Sequence, residues 1–270
     1  MSYLGRQVVV VTAAGRRRYM EVLARYIDGS IVDRWDLWLN VKEDRGDLAW
    51  LKSIEGPHVR AVEIQHGPKH GTNYEIRNFY PHAADAETIF CRLDDDIVWL
   101  APDFFAKLLD CRLANLDPLL VSANVVNNAI CGHLQQRAGA FGFGAGTVGY
   151  NCLDPVGWKD QHHAEYVHRA FLANPNADRW RTQDWILYAG ERFSINAICW
   201  FGADMAKIIQ TGGVGEDEEE WLTYQYPRQS KRPNMICGSA VASHFAFYTQ
   251  RKHLDATDVL DGYRKLAGLT

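Results

Sequence analysis

The chain has 270 residues, of which 47% are apolar and 12% aromatic, and it carries 29 basic and 33 acidic residues. A chain of this size can bury one substantial core, so we expect a single domain over residues 1-270. The net charge of -4 gives no broad electrostatic reason to bind nucleic acid or an anionic membrane, although it is compatible with a local basic groove.

The first predicted elements are a strand and a helix. Four valines at 8–11 predict a strand buried on both faces, which the residues 12–15 interrupt. Residues 17–27 carry apolar side chains at helical spacing, so this stretch is typical of the opening of a nucleotide-binding α/β unit. Ligands of such sheets lie at the carboxyl ends of strands, which makes 12–16 a candidate contact region.

Later elements are predicted from periodicity and turn signals. Further strands are expected over 31–39, 59–64 and 88–93, so that the first hundred residues supply the parallel sheet. The glycine-rich run 139–149 predicts a mobile loop near a site. Beyond residue 100, helices are predicted over 103–113, 162–172, 183–188 and 257–266, with another start at Glu216, and strands over 119–126, 193–201 and 240–248.

The cysteines and the apolar runs indicate in which cellular compartment the protein is expected. The six cysteines form no C-x-x-C pair, and several lie in apolar runs where a free thiol behaves as a small hydrophobe. This pattern favours a reduced, cytoplasmic protein. No run approaches the roughly 20 apolar residues of a membrane-spanning helix. The short apolar stretch 8–14 is followed at once by three arginines, which favours a strand over a signal peptide.

Three consecutive acids, Asp94, Asp95 and Asp96, interrupt an apolar run where a buried strand should continue. Each buried carboxylate costs several kcal/mol unless a cation or hydrogen-bond donors compensate, and a hard divalent cation does so naturally. Strand geometry would place Asp94 and Asp96 on one face, with Asp95 pointing elsewhere. The alternative is an acidic turn that caps a helix starting near Pro102, against which the apolar flanks argue.

The sequence resembles a known family. The strand, T-A-A-G-R loop and helix, followed by E-I-R-N at 75–78 and R-L-D-D-D-I at 92–97, resemble the donor half of GT-A glycosyltransferases with their D-x-D motif. Later blocks, similar in order to those of a poorly characterised glycosyltransferase-like group, extend the resemblance over most of the chain: V-S-A-N-V-V-N at 121–127, R-F-S-I-N-A-I at 192–198, E-D-E-E-E-W-L-T at 216–223 and H-F-A-F-Y-T-Q-R at 244–251.

The resemblance implies an α/β fold of the GT-A type, in which a Rossmann-like, mostly parallel sheet is flanked by helices. Residues 1-100 would form the nucleotide-sugar-binding half, and 101-270 a more irregular acceptor-binding and catalytic half. It also implies that Asp94 contacts the nucleoside or sugar, and that Asp94, Asp96 and His244 bind a metal. Imidazole beside carboxylates suits Mn²⁺, but the sequence does not choose between Mn²⁺ and Mg²⁺. The alternative for His244 is a hydrogen-bonded histidine on a strand.

The acidic run 216–220 takes the place of the E-D motif of many GT-A enzymes, where one carboxylate accepts the proton of the acceptor hydroxyl. Asp217, Glu218 and Glu219 are the candidates, and the sequence does not rank them. The alternative is a solvated helix start, where negative charge complements the helix dipole. The segment 183–185 is a second candidate, either for acceptor recognition or as an ordinary helix start.

The remaining candidates are contacts to the nucleotide sugar. A guanidinium matches phosphate oxygens in geometry, although each arginine is equally compatible with a surface charge. Asparagines at a strand end can bind sugar hydroxyls, but they also form turns. The full set of predicted donor contacts is Thr12, Ala13, Arg16, Arg77, Asp94, Asp95, Asn124 and Arg251.

Together these patterns predict metal-dependent transfer of a sugar from a nucleoside diphosphate sugar, with uridine as the expected base, to an acceptor hydroxyl. The acceptor is left open among a glycan, a protein, a small molecule and modified DNA. One alternative is a nucleotidyltransferase, which would need a further strand carboxylate near the triplet and would release pyrophosphate. Another is a non-catalytic module that binds nucleotide sugars or carbohydrate.

Overall fold

The computed structural model describes residues 3–27, 29–41, 45–65 and 71–269. Within this part of the chain nine strands form one sheet. They are β1 (Gln7–Ala14), β2 (Arg34–Leu39), β3 (Val59–Val62), β4 (Thr88–Leu93), β5 (Ile97–Leu100), β6 (Val121–Val126), β7 (Trp185–Leu187), β8 (Ala197–Phe201) and β9 (Asn234–His244).

Helices flank the sheet. They are α1 (Arg17–Leu23), α2 (Arg45–Ser53), α3 (Asn73–Ile76), α4 (Phe104–Ala114), α5 (Ala129–Arg137), α6 (Gln161–Ala173), α7 (Ala177–Trp180), α8 (Gly202–Gln210), α9 (Glu218–Glu220), α10 (Tyr226–Ser230), α11 (Tyr248–Leu254) and α12 (Val259–Leu266). None of the described helices is both long enough and apolar enough to cross a bilayer.

The strand order is β3-β2-β1-β4-β8-β6-β9-β5, and β7 pairs with β9. Strands β1, β2, β3, β4, β6 and β9 run in one direction, while β5, β7 and β8 run in the other. The sheet is therefore mostly parallel, and the α/β architecture predicted from the sequence, with a mostly parallel central sheet flanked by helices, is confirmed. The four valines of β1 are fully buried, as their unbroken β-branched run predicts.

The prediction that the first hundred residues alone supply the sheet is wrong. Strand β8 pairs antiparallel with β4, with Cys91 opposite Cys199, and continues the sheet into β6 and β9. Strand β4 pairs with β1 on one side, and its pairing with β8 satisfies the backbone N–H and C=O groups on the other side, as a buried strand requires. Residues 101-270 therefore contribute four of the nine described strands, β6 to β9.

Strand pairing corrects two element predictions. The segment 183–188 is not a helix, because Trp185 and Leu187 pair with the start of β9. Strand β9 begins at Asn234, six residues earlier than predicted, and ends at His244. The glycine-rich run 139–149 is irregular, as predicted. It is nonetheless tied down, since the Gln136 side chain donates to the carbonyl oxygens of Gly142 and Gly146.

Candidate functional site

A cavity of about 770 Å³ opens at one edge of the sheet. The parallel strands β1, β2, β4 and β9 all end at this edge, and the antiparallel β8 begins there. Ligands of open α/β sheets bind at such an edge, and the volume lies in the usual range for ligand sites. The polar residues lining it include Arg16, Asn40, Arg92, Asp94, Asp95, Asp96, Arg192, Asn196, Glu216, Asp217, Glu218, Glu219, His244 and Arg251.

The three aspartates form a tight turn between β4 and β5, since the Ile97 amide donates to the Asp94 carbonyl oxygen at 3.1 Å. The strand predicted over 88–93 does end before the acids, but a turn replaces the strand alternation that was expected to bring Asp94 and Asp96 together. The turn does not cap a helix, however, because β5 separates it from α4. Asp96 is 1% exposed and Asp95 is 4% exposed, so their charges need compensation.

His244 stands at the end of β9, directly opposite Ile97 in the neighbouring strand β5. Its Nδ1 lies 3.2 Å from the carbonyl oxygen of Asn127, and its Nε2 lies 3.4 Å from Asp96 Oδ1. A proton on Nδ1, donated to that carbonyl, leaves the Nε2 lone pair facing the acid. This is the arrangement that metal-binding histidines use.

Asp94, Asp96 and His244 each offer one ligand atom, and the three atoms lie within 4.8 Å of one another. The Asp94 carboxylate is held by Asn196, whose Nδ2 donates to it at 3.1 Å. Two carboxylate oxygens and one imidazole nitrogen form a donor set that fits Mn²⁺ well and Mg²⁺ less well. These residues therefore fit a divalent cation.

Two arginines approach the acids from opposite sides. Arg16 donates from Nε to both oxygens of Asp95, at 2.9 and 3.0 Å, and its Nη1 lies 3.2 Å from Asp96 Oδ2. Arg251 donates from Nη2 to the same Asp96 oxygen at 2.9 Å. Burial raises the pKa of Asp96, but the charges of Arg16 and Arg251 oppose it, and that pKa lies well below its usual range. Asp96 is therefore ionised at neutral pH, as a metal ligand must be.

A second, deeper ion pair supports Asp94. The buried Arg92 reaches Glu218 Oε1 with Nη1 at 2.8 Å and Asp94 Oδ1 with Nη2 at 3.0 Å. Burial raises the pKa of Glu218 to about 7, against the opposing charge of Arg92. Because Glu218 is buried and faces Arg92, it fixes the position of Asp94 through that arginine.

The other two acids of the predicted set differ in surroundings. Asp217 is half-exposed, and its carboxylate caps α9 by accepting from the Glu220 amide at 3.0 Å. Glu219 keeps a quarter of its side chain exposed and accepts from Arg192 Nη2 at 3.1 Å. Burial raises the pKa of Glu219, while Arg192 lowers it. Of the two glutamates whose pKa burial raises, Glu219 has the more exposed side chain, 25% against 7% for Glu218.

Several predicted donor contacts lie elsewhere. Thr12 and Asn124 are buried and do not line the cavity. The Thr12 hydroxyl accepts from Trp35 Nε1 at 3.0 Å, and the Asn124 amide donates to the Trp180 and Gly238 carbonyl oxygens at 2.8 and 3.0 Å. Both side chains thus satisfy groups inside the fold, and neither is carried into the proposed site.

The remaining predicted contacts lie at or beside the cavity. Ala13 lines it, whereas Arg77 stands outside the lining, with Nη2 3.7 Å from Glu216 Oε1. The loop 139–149, predicted near a site, contributes no residue to the described lining. Arg92 and Asn196 were not singled out from the sequence, although both belong to the blocks that carry the family resemblance.

Comparison with known proteins gives similarity in fold only. No protein-family model matches the chain, and neither does any curated protein. Among similar solved structures is 4-diphosphocytidyl-2C-methyl-D-erythritol synthase from Anaerococcus prevotii, with 12% identity, a TM-score of 0.47, and coverage of 97% of this chain and 99% of that one. A second structure of such a synthase is 16% identical, with a TM-score of 0.33 and coverage of 44% and 61%.

Another similar structure is glucosyl-3-phosphoglycerate synthase from Mycobacterium tuberculosis in complex with Mn²⁺, uridine-diphosphate-glucose and phosphoglyceric acid. It is 19% identical, with a TM-score of 0.33, and the match covers 45% of each chain. The chain thus spans less than two thirds of the length of two of these three structures. At such identities the likeness identifies no activity.

Proposed function

We propose that the chain is a metal-dependent glycosyltransferase that moves a sugar from a nucleoside diphosphate sugar, with uridine as the expected base, to an acceptor hydroxyl. The observation that carries the proposal is the meeting of Asp94, Asp96 and His244 within 4.8 Å, at a cavity that also holds Arg16 and Arg251. Carboxylate and imidazole ligands beside guanidinium donors suit a diphosphate and its cation.

Asp94, Asp96 and His244 would hold Mn²⁺ or Mg²⁺. The bound cation would neutralise charge on the leaving diphosphate. In the structure Arg16 donates hydrogen bonds to Asp95, and Arg251 donates to Asp96. The side chain of Arg16 is 32% exposed and that of Arg251 is 26% exposed, and both line the cavity. A diphosphate entering there would share those donors, which supports electrostatic stabilisation of the leaving group by positioned charges.

Glu219 is the proposed general base. A raised pKa makes a carboxylate a better proton acceptor, and partial exposure lets an acceptor hydroxyl reach it. Glu218 is proposed as a positioning residue, because it touches Arg92 and through it Asp94. Asp217 serves α9 as its N-cap.

The nucleotidyltransferase alternative is less well supported. It calls for a further carboxylate on a strand beside the acidic turn. Among the described residues that line the cavity, the other carboxylates are Glu216 to Glu219, which lie in a loop and a short helix. Their place on the acceptor side suits proton transfer from a hydroxyl better than binding of a second cation.

Calorimetric titration with nucleoside diphosphates and their sugars tests the donor half of this proposal. We expect binding of a uridine diphosphate sugar to tighten at least about tenfold when Mn²⁺ is added, because cation and diphosphate neutralise each other in a site of low dielectric. Chelation by EDTA should reverse the gain. Affinity that is the same with and without divalent cations would contradict the proposed site.

A further inference from the structure

A second pocket of about 470 Å³, called here the side pocket, adjoins the main cavity. It is formed by the loop 150–153, by residues 190–192 ahead of β8, and by Glu220 and Tyr224. Its volume lies in the range of small-molecule sites. None of the contacts described for the metal or the diphosphate involves its aromatic rim.

The two pockets meet beside Glu219, which lines the main cavity. Leu153 and Arg192 line both of them. The Glu219 carboxylate lies 3.1 Å from Arg192 Nη2 and 3.8 Å from the Sγ of Cys152, which lines the side pocket. A compound held in the side pocket would thus present a group to the proposed base on the side facing the donor.

Two aromatic rings, those of Tyr150 and Tyr224, line the side pocket. Tyr150 is 36% exposed, and Trp185, which is outside the lining, packs beside it and is 42% exposed. Trp185 donates from Nε1 to the Tyr150 hydroxyl at 2.7 Å, and the two rings meet edge to face at 6.0 Å. On another side Tyr224 accepts from Arg228 Nη1 at 2.6 Å. Rings fixed in this way offer flat apolar faces at little cost in side-chain entropy.

The polar lining suits hydroxyl groups. Asn151, Glu191 and Glu220 line the pocket, and carboxylates accept hydrogen bonds from hydroxyls while an amide both accepts and donates. Flat apolar faces combined with such acceptors match a sugar ring, which has an apolar face of C–H groups and a rim of hydroxyls.

The charge of the pocket disfavours an anionic occupant. Among the described residues lining it, two carboxylates, Glu191 and Glu220, stand against one guanidinium, that of Arg192. That guanidinium is already paired with Asp217, Glu219 and Glu220. A phosphate in this pocket would meet net negative charge, whereas phosphate and nucleic-acid sites present unpaired basic groups.

We infer that the side pocket is the acceptor site and that the acceptor is a neutral carbohydrate, stacked on Tyr150 with one hydroxyl directed at Glu219. This inference rests on the proposed function. It narrows the acceptor from four open classes to one. In the transfer step the hydroxyl oxygen bonds to the anomeric carbon of the donor sugar, its proton passes to Glu219, and the nucleoside diphosphate leaves with the electron pair of the broken bond.

The test measures release of nucleoside diphosphate from uridine diphosphate sugars with Mn²⁺, with and without candidate acceptors. The neutral probes are methyl glucoside, methyl galactoside, methyl mannoside, maltotetraose and cellotetraose, and the anionic ones are glucose 6-phosphate and a single-stranded DNA oligonucleotide. We expect a neutral probe to accelerate release above donor hydrolysis. Trp185→Ala removes the hydrogen bond and the ring contact that hold Tyr150, so it should reduce this acceleration about tenfold more than it reduces hydrolysis.

Phe143→Ala is the matched control, because Phe143 is an exposed aromatic residue of the loop 139–149, which lines neither pocket, whereas Trp185 supports Tyr150 in the side pocket. It should change neither rate. Acceleration by the anionic probes alone, or equal acceleration in Trp185→Ala and Phe143→Ala, would overturn the inference.

If no nucleotide sugar binds, the proposed function is wrong. The acceptor inference for the side pocket can then still be tested by a separate titration. Calorimetry with maltotetraose and cellotetraose in the absence of donor should then give binding to the wild type that Trp185→Ala loses. Absence of binding to either protein in that titration, together with no acceleration by any neutral probe, would overturn the inference independently.

Discussion

Asp96→Asn is expected to lower Mn²⁺-dependent sugar transfer by at least about a hundredfold, since loss of a single supporting group already costs 10–100-fold in affinity or activity at metal sites. Asp96 lies 3.4 Å from His244 and receives both Arg16 and Arg251, so its charge joins the proposed cation site to the proposed diphosphate site. The amide keeps the shape of the side chain but removes the charge. Initial rates of transfer and calorimetric affinity for Mn²⁺ measure the effect.

The control for this substitution is Asp178→Asn, because Asp178 is an exposed aspartate that pairs with Arg181 and does not line the cavity. Removing one member of a buried ionic cluster can cost about 3–5 kcal/mol of stability, so thermal unfolding must be recorded for each variant. His244→Gln gives a second route, since it leaves the acid–arginine pairs in place. Unaltered Mn²⁺-dependent nucleotide binding in a folded Asp96→Asn protein would contradict the proposed role of Asp96.

Glu219→Gln is expected to reduce transfer by about 10²–10⁴-fold, the usual contribution of a general base, while donor binding is retained. The wild-type rate should rise with pH as Glu219 loses its proton. Because burial raises its pKa, this rise should lie above the usual range of a glutamate, and it should vanish in the variant. The measurements are transfer rates against pH and donor affinity by calorimetry.

Two neighbouring substitutions separate this role from a structural one. Asp217→Asn weakens a helix cap and should change transfer far less. Glu218→Gln weakens the support of Asp94 through Arg92, so it should lower metal affinity more than it alters the shape of the pH profile. A pH profile in Glu219→Gln identical to that of the wild type would assign the proton acceptor elsewhere.

Helices and strands were predictable from the sequence where the segment itself shows a helical or strand-like hydrophobic pattern. The valines of β1 and the helical spacing after Arg17 specify strand and helix without reference to partners. The end of α1 was overestimated, since it stops at Leu23. The position of β8 between β4 and β6 was not predictable, because it depends on pairing between segments more than 100 residues apart in the sequence. The hydrophobic periodicity of a segment does not indicate which distant segment it pairs with.

Asn124 illustrates why a residue type at a strand end was misleading. The pairing of β6 with β9 shifts register between Ala123 and Asn124, which leaves the Gly238 carbonyl oxygen outside the ladder. Asn124 satisfies that oxygen with its amide. Its polarity is thus explained by a gap in the sheet, and buried carbonyl groups require such partners.

The acidic turn illustrates the opposite case. The sequence placed Asp94 and Asp96 together through strand alternation, whereas the structure brings them together through a turn, with Asp95 turned toward Arg16. The grouping with His244 depends on β5 pairing with β9, which sets Ile97 beside His244. The family resemblance implied this grouping, and no spacing in the sequence would have given it.

Identification of the product leaving the donor tests the central claim most directly. Wild-type protein incubated with Mn²⁺ and a uridine diphosphate sugar should release uridine diphosphate, slowly with water and faster with a suitable acceptor, and Asp96→Asn should release almost none. Release of pyrophosphate on incubation with a nucleoside triphosphate and a sugar phosphate, with no uridine diphosphate formed from nucleotide sugars, would contradict glycosyl transfer and assign the cavity to nucleotidyl transfer.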